Sequence, residues 1–409
     1  YLTPQSILDW PGNGTSNTAQ NLAPYADLDG DQIYEPLSGE YPIIKGDQAV
    51  YLILNDYREE DTLRHLGNVV ETYGPLKIEI HVMLYAFANN IPAISNSVFV
   101  ETSIYNRSNS AIDDHNDFHA SIYADFDLGN PSDDYVGTNI SKNLFYAYNG
   151  DFFDEATSGH AGYGSNLAAQ GILFLDNNIE DAIYYNSSSG QNGDPSIPSH
   201  FANYQRGKWK NGSQIKYGGD GYSSACTTNT FSKLMFDGNP NLSSQSAVWT
   251  EKFPCIGSAG ISNAPGDRRM LGGPSISKNL AHGQSLQFNY AYVFAQDDQT
   301  SQSLGSPFAK LFQETDIVQA FYDNTITNIK HVEAVSNEFK IFPNPAGSQI
   351  QVKTESKNFE IELLDMKGSV LLKTKNTASL DLSPFENGVY FVRMIDQHGI
   401  QTKKLIITK

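Results

Sequence analysis

Short apolar runs that stop at proline or glycine constrain this chain more than any other feature, and they are clearest in residues 339–409. The run at residues 339–342 has to end at Pro343 and Pro345, because proline lacks a backbone donor and fixes φ. Apolar alternation on both sides of a Met-Lys-Gly turn in residues 361–372 predicts a β-hairpin. The segment therefore predicts strands joined by tight turns.

Two further runs extend this pattern to the last residue. Asn387-Gly388 precedes the apolar residues 389–392, which is a second hairpin signal, and residues 405–407 form a last β-prone run. Together the runs predict a small C-terminal antiparallel β-sandwich.

Several motifs occur in order along this segment and carry a resemblance to a known family. They are Ile341-Phe342-Pro343-Asn344-Pro345, Asp365-x-x-Gly368, Leu382-Ser383, Gly388-x-Tyr390-x-Val392 and a final strand with Lys403 and Lys404. Residues 338–409 thus resemble the type A C-terminal sorting domain of the type IX secretion system of Bacteroidota. The alternative is an ordinary terminal β-sandwich without a sorting role.

The resemblance implies export through the periplasm and across the outer membrane, to the cell surface or the extracellular space. Its implied partners are the type IX translocon and its outer-membrane shuttle protein, with a sortase-like peptidase and surface lipopolysaccharide as further candidates. The implied sorting signal consists of Pro343, Asn344, Pro345, Asp365, Gly368, Gly388, Tyr390, Lys403 and Lys404.

The length and charge of the chain separate a body from this C-terminal part. A chain of 409 residues is long enough for two or three domains, and we expect a body at 1–323, a linker at 324–337 and a sorting domain at 338–409. A candidate boundary within the body lies near residues 95–100.

The body is strongly acidic. The chain has 27 basic and 46 acidic residues; 10 and 8 of these follow residue 335, which leaves 17 basic and 38 acidic residues and a net charge of −21 before it. This charge argues against a nucleic-acid partner, whose phosphates require basic grooves. It is typical of a secreted surface that binds cations.

Composition and cysteine content favour an extracellular β protein. Charged residues are 18% of the chain and aromatic residues 12%, with Gly, Asn, Ser and Asp between short apolar runs. No apolar run reaches the roughly 18 residues that span a bilayer. Tyr1 is expected to follow a removed signal peptide or to start a fragment. Cys226 and Cys255 predict one disulfide, which would stabilise the fold by about 3 kcal/mol; two free buried thiols are the alternative.

An acidic loop near the start of the body predicts a Ca²⁺ site. Carboxylates alternate around Gly30, and a tight bend there would aim several hard oxygens at one point, as Ca²⁺ requires. The loop departs from an EF-hand, because Gln32 occupies the usual glycine place and Ser38 the place of the bidentate glutamate. A solvated acidic turn is the alternative. The expected ligands are Asp27, Asp29, Asp31 and Glu35.

Strand patterns fill most of the body, with one helix at its end. Residues 49–54, 77–85, 98–106 and 285–295 predict strands of a β-sandwich. Residues 306–322 predict an amphipathic helix that packs on it, with an apolar stripe of Phe308, Leu311, Phe312, Thr315, Ile317, Val318, Phe321 and Tyr322.

Two histidines four residues apart, His115 and His119, match the spacing of zinc proteases. Residues 118–127 alternate in polarity, however, which predicts a strand. On a strand the two histidines would stand roughly 13 Å apart, too far to hold one ion. We therefore expect no zinc site here.

A second acidic turn follows this strand. Asp125, Asp127, Asp133 and Asp134 flank a Gly/Pro turn, and four converging carboxylates repel one another unless a cation or hydrogen bonds neutralise them. The turn predicts a second Ca²⁺ site. The alternative is that Asp125 and Asp127 are a catalytic pair of the kind that glycosidases use.

Other motifs bear on the function of the body. Gly266-Asp267-Arg268-Arg269-Met270, the DLDGD and DFDLG elements and a Tyr-x-Tyr-Val-Phe-Ala strand resemble a functionally undefined body of large type IX cargo proteins. Four aromatic residues in or near long loops, Phe152, Phe153, Tyr163 and Trp209, are candidates for stacking on a glycan, although core packing is the commoner role.

The preferred interpretation is a non-catalytic exported protein whose Ca²⁺-stabilised β-body is adhesive, ligand-binding or structural. The alternative is an extracellular hydrolase acting on carbohydrate through Asp125 or Asp127, and a third possibility is a spacer module of a longer surface protein. No G-x-S-x-G, P-loop, GxGxxG or HExxH motif occurs. Whether the chain is an enzyme stays open at this point.

Overall fold

A computed structural model describes most of the chain as two compact units, Tyr1–Ile326 and Thr327–Lys409. It describes residues 4–14, 22–56, 64–66, 69–71, 75–223, 226–240, 248–255, 263–296, 306–326, 339–354, 356–365, 369–396 and 399–409. The fold is mainly β, as predicted. Most of the expected linker, from residue 327 on, lies outside the described residues.

The first unit contains sixteen named strands and four α-helices among its described residues. The strands are β1 Tyr25–Ala26, β2 Tyr41–Pro42, β3 Gln48–Asn55, β4 Arg64–Leu66, β5 Val69–Glu71, β6 Ile78–Ala86, β7 Ser97–Asn106, β8 Ile122–Asp125, β9 Asp134–Asn139, β10 Leu144–Asn149, β11 Ala168–Phe174, β12 Ile179–Asn186, β13 Ile215–Lys216, β14 Phe231–Ser232, β15 Arg268–Pro274 and β16 Ser285–Gln296. The helices are α1 Gln5–Leu8, α2 Pro92–Ser95, α3 Pro198–Tyr204 and α4 Ser306–Phe321.

A seven-stranded antiparallel sheet is the centre of the first unit. Its strand order is β3-β6-β7-β16-β11-β10-β9. The runs predicted as strands at residues 49–54, 77–85, 98–106 and 285–295 all lie in it. The conceivable boundary near residues 95–100 falls at the start of β7, which pairs with β6 on one side and β16 on the other. The sheet therefore continues across that point, and the structure places no division there.

Each face of this sheet is covered by a different layer. On one face a three-stranded sheet, β12-β15-β8, encloses a core that includes Phe145, Trp209 and Trp249, all fully buried. The two sheets approach closely at Gly272, where a Cβ atom would lie 2.4 Å from the Phe145 ring. On the other face α4 packs through Phe308, which is 1% exposed. Two packed sheets with one late helix confirm the predicted sandwich-type body.

The stripe of α4 is confirmed except at one position. Phe308, Leu311, Thr315, Val318 and Tyr322 are buried against the large sheet, while Ile317 is 41% exposed. Ile317 lies one residue away from the buried line, so the helical period turns it towards solvent.

The predicted strand at residues 118–127 is shorter than expected. Only Ile122–Asp125 is a strand, and the preceding residues follow an irregular path held by hydrogen bonds to residues 278–280. His119 contacts Asp117 through Nε2 at 2.9 Å, and His115 contacts the carbonyl of Leu76. The two histidines thus have different partners.

The predicted disulfide is present. Cys226 and Cys255 are bonded with their Cα atoms 5.3 Å apart, which falls within the usual range for a disulfide. The bond links two parts of the long segment between β12 and β15, whose described residues contain only short strands and α3.

The second unit is a small antiparallel sandwich, as predicted. Its strands are β17 Lys340–Phe342, β18 Gln349–Lys353, β19 Phe359–Leu364, β20 Val370–Lys375, β21 Ser379–Asp381, β22 Gly388–Asp396 and β23 Gly399–Ile407. They form two sheets in the orders β17-β18-β21 and β20-β19-β22-β23, with a shared apolar core.

One of the two predicted hairpins in this unit is confirmed and the other is wrong. β19 and β20 pair as expected, although the turn at residues 366–368 lies outside the described residues. Asn387 precedes β22, but the strand before it, β21, belongs to the other sheet. The Asn-Gly turn therefore connects the two sheets, and β22 forms its hairpin with β23.

Candidate functional site

The first acidic loop is held together by its own carboxylates. Asp27 accepts hydrogen bonds from the amide of Gly30 at 2.7 Å and from the amide of Gln32 at 3.1 Å. Gly30 and Gln32 have φ values of 82° and 65°, so the chain bends twice through the left-handed region. These bends bring alternating side chains to one side of the loop.

The sequence interpretation missed a fifth carboxylate, Glu40. Its side chain is buried, and its two oxygens accept hydrogen bonds from the amides of Leu28 at 2.9 Å and Glu35 at 2.7 Å. The four residues between Glu35 and Glu40 gave no signal of this contact, because it depends on the chain returning through a short 3₁₀ turn at Pro36–Ser38.

The five carboxylates form two overlapping groups. One oxygen from each of Asp27, Asp29 and Glu40 lies within 4.8 Å of the others, and the same holds for Asp29, Asp31 and Glu35. The four residues that the sequence predicted as ligands are thus divided between two groups that share Asp29, and Glu40 joins one of them. Oxygen atoms in this arrangement suit a hard cation such as Ca²⁺.

The second acidic turn combines with a motif far away in the sequence. β8 pairs with β15, so Asp125 lies opposite Arg269, and Asp267 comes within 4.8 Å of Asp125 and Asp127. The guanidinium of Arg269 lies 3.2 Å from Asp125 and 3.2 Å from Asp267. The sequence suggested that a cation neutralises this turn, and Arg269 supplies a positive charge there.

Asp133 and Asp134 do not join this cluster, which corrects the prediction of one four-acid site. Asp134 accepts a hydrogen bond from the amide of Leu128 at 3.0 Å, and Asp133 accepts one from the Asn130 side chain at 2.8 Å. The backbone of Asp127 has a φ of 41°, and the turn that follows buries both acids. Burial raises the pKa of Asp133 to about 6 and the pKa of Asp134 well above its usual range.

The possible catalytic pair, Asp125 and Asp127, has one feature that a general acid needs. Burial raises the pKa of Asp125, although the adjacent Arg269 acts in the opposite direction. Tyr123 donates a hydrogen bond to Asp125 at 3.2 Å. Asp125 is thus engaged by two neighbours, which is more typical of a fixed surface network than of a free proton donor.

The aromatic candidates for glycan stacking divide into two groups. Trp209 is fully buried and donates a hydrogen bond from its indole to the carbonyl of Gly221 at 2.9 Å, so it is a core residue. Phe152, Phe153 and Tyr163 are exposed by 56%, 51% and 37% of their surfaces. Of the four candidates, these three are accessible to a ligand.

A polar cleft of about 450 Å³ lies between α4 and the ends of β10 and β11. Its walls carry Asp176, Asp316 and Lys142. Lys142 forms an ion pair with Asp316, and Asp176 accepts a hydrogen bond from the hydroxyl of Tyr322 at 3.0 Å. Asp323, which also lines the cleft, accepts a hydrogen bond from the Gln319 side chain at 2.9 Å, so each charged group of the cleft has a partner within the protein.

The two adjacent arginines of the Gly-Asp-Arg-Arg-Met motif serve different faces of β15. Arg268 pairs with Glu251, which is fully buried and also accepts a hydrogen bond from the amide of Val136 at 2.6 Å. Arg269 points instead to the outer cluster with Asp125. Because side chains alternate along a strand, one arginine stabilises the interior and the next belongs to the surface.

A buried carboxylate lies apart from these clusters, at Asp181 on β12. It is 1% exposed and lies beside Gly207 and Gly273, whose missing side chains leave room for it. Burial raises the pKa of Asp181 to about 7, and the neighbouring Glu180 adds to the effect. The folded protein thus holds a carboxyl group that titrates near neutral pH.

The motif residues of the second unit fix its loops to its strands. Asn344 donates a hydrogen bond to the carbonyl of Lys404 at 2.9 Å and accepts one from the amide of Ile406 at 2.8 Å. Asp365 accepts a hydrogen bond from the amide of Ser369 at 2.8 Å, and the Tyr390 hydroxyl donates one to the carbonyl of Glu386.

The remaining predicted signal residues lie around these contacts. Pro343 and Pro345 flank Asn344, both after cis peptide bonds. Gly388 begins β22, Lys403 and Lys404 lie on β23, and Gly368 falls outside the described residues.

The outer face of the four-stranded sheet carries an ion-pair ladder. Glu362 on β19 contacts Lys373 on β20 at 3.0 Å and Arg393 on β22 at 2.5 Å. Glu360 extends the ladder to Lys375 at 3.5 Å. Opposite charges directly across strands favour this register over its shifted alternatives.

Residues 340–408 match the family model described as "Secretion system C-terminal sorting domain". The chain carries a type IX C-terminal sorting domain. It is therefore a cargo of the type IX secretion system, exported across the outer membrane to the cell surface or the extracellular space. The sorting domain implies contact with the secretion machinery. None of the helices described in the structure is long and apolar enough to span a membrane.

Other comparisons say little about the body that the sorting domain accompanies. No curated protein matches the chain. A solved polysaccharide lyase aligns with 88% of this chain and 39% of its own at 6% identity and a TM-score of 0.23. Dimeric latent PorU from Porphyromonas gingivalis aligns with 88% and 30% at 10% identity and a TM-score of 0.15. The chain thus spans well under half of either protein, and such low scores carry no functional argument.

Asp181 predicts a pH dependence of stability. Its pKa in the folded protein, about 7, exceeds the usual 3.8, so the folded state binds the proton more tightly than the unfolded state. The stabilisation is present below about pH 4 and is lost as the pH rises through 7. We expect Asp181→Asn to reduce the fall in the free energy of unfolding between pH 5 and pH 8. Urea unfolding followed by tryptophan fluorescence measures this free energy for the first unit, because all three tryptophans lie before residue 326.

Asp316→Asn is the matched control for this prediction, since the Asp316 side chain is 69% exposed. It should leave the pH dependence unchanged. A pH profile of Asp181→Asn that coincides with that of the unsubstituted chain would contradict the assignment.

Proposed function

We propose that this type IX cargo is a non-catalytic surface or secreted protein whose body is stabilised by Ca²⁺ and binds extracellular ligands. The observation that supports it is that five carboxylates between Asp27 and Glu40 form two groups of three that share Asp29. A sortase-like peptidase and surface lipopolysaccharide belong to the same proposal, as partners of the sorting domain after export.

Charge explains why the loop suits a divalent cation. Asp27, Asp29, Asp31, Glu35 and Glu40 place five negative charges in a short stretch of a body that already has a net charge of −21. Backbone amides satisfy several of the oxygens but neutralise none of the charge. Ca²⁺ takes six to eight oxygen ligands at 2.3–2.6 Å and removes the mutual repulsion.

The acids at the second turn support a weaker case for Ca²⁺. Asp125 and Asp127 lie with Asp267, but Arg269 already contacts two of the three. A divalent ion there would compete with a guanidinium that is fixed in place. We therefore assign the structural Ca²⁺ to the first loop and leave Asp133 and Asp134 out of any shared site.

An extracellular hydrolase acting on carbohydrate is the second candidate. It rests on Asp125, whose pKa burial raises, and on Asp127 nearby. Glycosidases use such a pair of carboxylates, one protonated and one ionised. Hydrolysis of a polysaccharide that is lost in Asp127→Asn but not in Asp316→Asn would favour this candidate over a binding protein.

Calcium removal should destabilise the body. We expect EGTA to lower the melting temperature by several degrees, because a ligand that binds only the folded state stabilises it by mass action. The Asp27→Asn/Asp29→Asn double variant removes two charges from the loop. Its melting temperature without EGTA should therefore be lower than that of the unsubstituted protein and should not change when EGTA is added. Differential scanning fluorimetry with and without excess Ca²⁺ makes the comparison.

The control is Asp125→Asn, which leaves the first loop intact and should keep the full response to EGTA. A melting temperature of the unsubstituted protein that is the same in Ca²⁺ and in EGTA would refute the proposed site.

Export depends on the sorting domain alone in this proposal. Deleting residues 339–409 should leave the body folded in the periplasm of a host with a type IX system, because the machinery then has nothing to recognise. Fractionation and immunoblotting of periplasm, outer membrane and medium measure the distribution. Gln351→Ala, on the exposed side of β18, is a full-length control that should be exported normally. Normal export of the truncated chain would overturn the assignment.

A further inference from the structure

The outer face of the three-stranded sheet presents a group of residues that the proposed function does not explain. The strand registers place Tyr185 opposite Arg269, and Arg269 opposite Asp125. Tyr123 lies two residues before Asp125 on β8 and therefore shares its face. The solvent-accessible residues of this face thus come from β8 and β15, and Tyr185 on β12, which is 4% exposed, packs against Tyr123.

Tyr123 is an exposed aromatic residue that is held in place. Half of its surface is accessible to solvent. Its ring lies 6.4 Å from the ring of Tyr185, with 26° between the two planes, and Tyr185 in turn stacks on the buried Tyr204 at 5.2 Å. The hydroxyl of Tyr123 donates a hydrogen bond to Asp125. Neighbouring rings and a hydrogen bond therefore restrict a side chain that remains open to solvent.

Charged groups border this ring. Arg269 lies 3.2 Å from Asp125 and 4.0 Å from Asp194. The guanidinium donates hydrogen bonds and the carboxylates accept them, so donors and acceptors alternate beside an apolar ring face. Sugars match this pattern, because a pyranose ring has one apolar C–H face and a rim of hydroxyl groups that both donate and accept.

We propose that the Tyr123 surface, formed by Tyr123, Asp125, Arg269 and Asp194, binds a neutral polysaccharide through one or more pyranose rings. This inference rests on the proposed ligand-binding role of the body and names its class of ligand.

The charges of the surface favour a neutral saccharide over other ligands. Three carboxylates, those of Asp125, Asp194 and Asp267, surround one guanidinium, so an anionic polymer would be repelled. A basic peptide would meet Arg269 at the centre of the surface, in the position that its own cation would need. A neutral polyol can engage both kinds of group without bringing a charge.

Affinity gel electrophoresis tests the proposal with three named probes: mixed-linkage β-glucan, xylan and galactomannan, each cast in a native gel that contains Ca²⁺. We expect at least one of them to retard the full chain. Tyr123→Ala should raise the dissociation constant for that polysaccharide roughly five- to tenfold, because the stacking surface is lost. Tyr123→Phe keeps the ring and should retain most of the retardation.

Phe152→Ala is the matched comparison, since Phe152 is a similarly exposed aromatic residue, at 56%, on a loop that the sequence also singled out for stacking. It should bind as the unsubstituted chain does. Thermal melts of all variants with Ca²⁺ confirm that each is folded before binding is compared.

Three results would overturn the proposal: no retardation by any of the three polysaccharides, equal retardation of Tyr123→Ala and the unsubstituted chain, or loss of binding in Phe152→Ala instead. Retardation by polylysine that depends on Tyr123, in place of the polysaccharides, would assign the surface to a basic peptide and would also overturn it. None of these results alters the outcome of the calcium or export experiments, so a failure here is separable from theirs.

Discussion

Carboxylates that leave water need a partner, and this constraint determines how the acidic body is built. Asp154 is almost fully buried and meets it with the amides of Asn130 at 2.8 Å and Tyr163 at 2.9 Å, which fixes the loop after β10. Glu251 meets it with the guanidinium of Arg268. Asp133, Asp134 and Asp181 satisfy the constraint in part through a raised pKa, which keeps each carboxyl group neutral up to a higher pH. Of the five carboxylates in the loop of Asp27 only that of Glu40 is buried, and their mutual repulsion is the reason that we propose a cation there.

Local patterns predicted most of the fold, because a strand or a helix imposes its period on neighbouring residues. The runs that became β3, β6, β7 and β16, and the stripe of α4, were readable for this reason. The residues of the candidate sites could be predicted only in part from the sequence. Asp27 to Glu35 lie in one loop, whereas Glu40 and Asp267 join their clusters only through a return of the chain and a strand pairing. Asp133 and Asp134 leave the predicted cluster because the turn after Asp127 buries them.

The two units differ in how they place their charged residues. The second unit satisfies its sheet with an ion-pair ladder around Glu362, and its Asn344 loop is tied to the last strand. Such a compact module can act as a sorting signal regardless of the sequence that precedes it. The surface of the body instead carries acidic loops and an exposed tyrosine. These features suit the extracellular space, where Ca²⁺ is abundant and glycans are common ligands. The export signal and the ligand-binding role that we propose therefore belong to separate sets of residues.

The number of Ca²⁺ ions bound to the folded chain tests whether the loop of Asp27 is a metal site. Native mass spectrometry of the full-length protein, exchanged into a volatile buffer with low Ca²⁺, measures this number without reference to stability. We predict one bound Ca²⁺ per chain, and we expect the ion to be lost when Asp29 and Glu40 are replaced by Asn and Gln. A chain that binds no Ca²⁺, or one that keeps the ion after both substitutions, would contradict it.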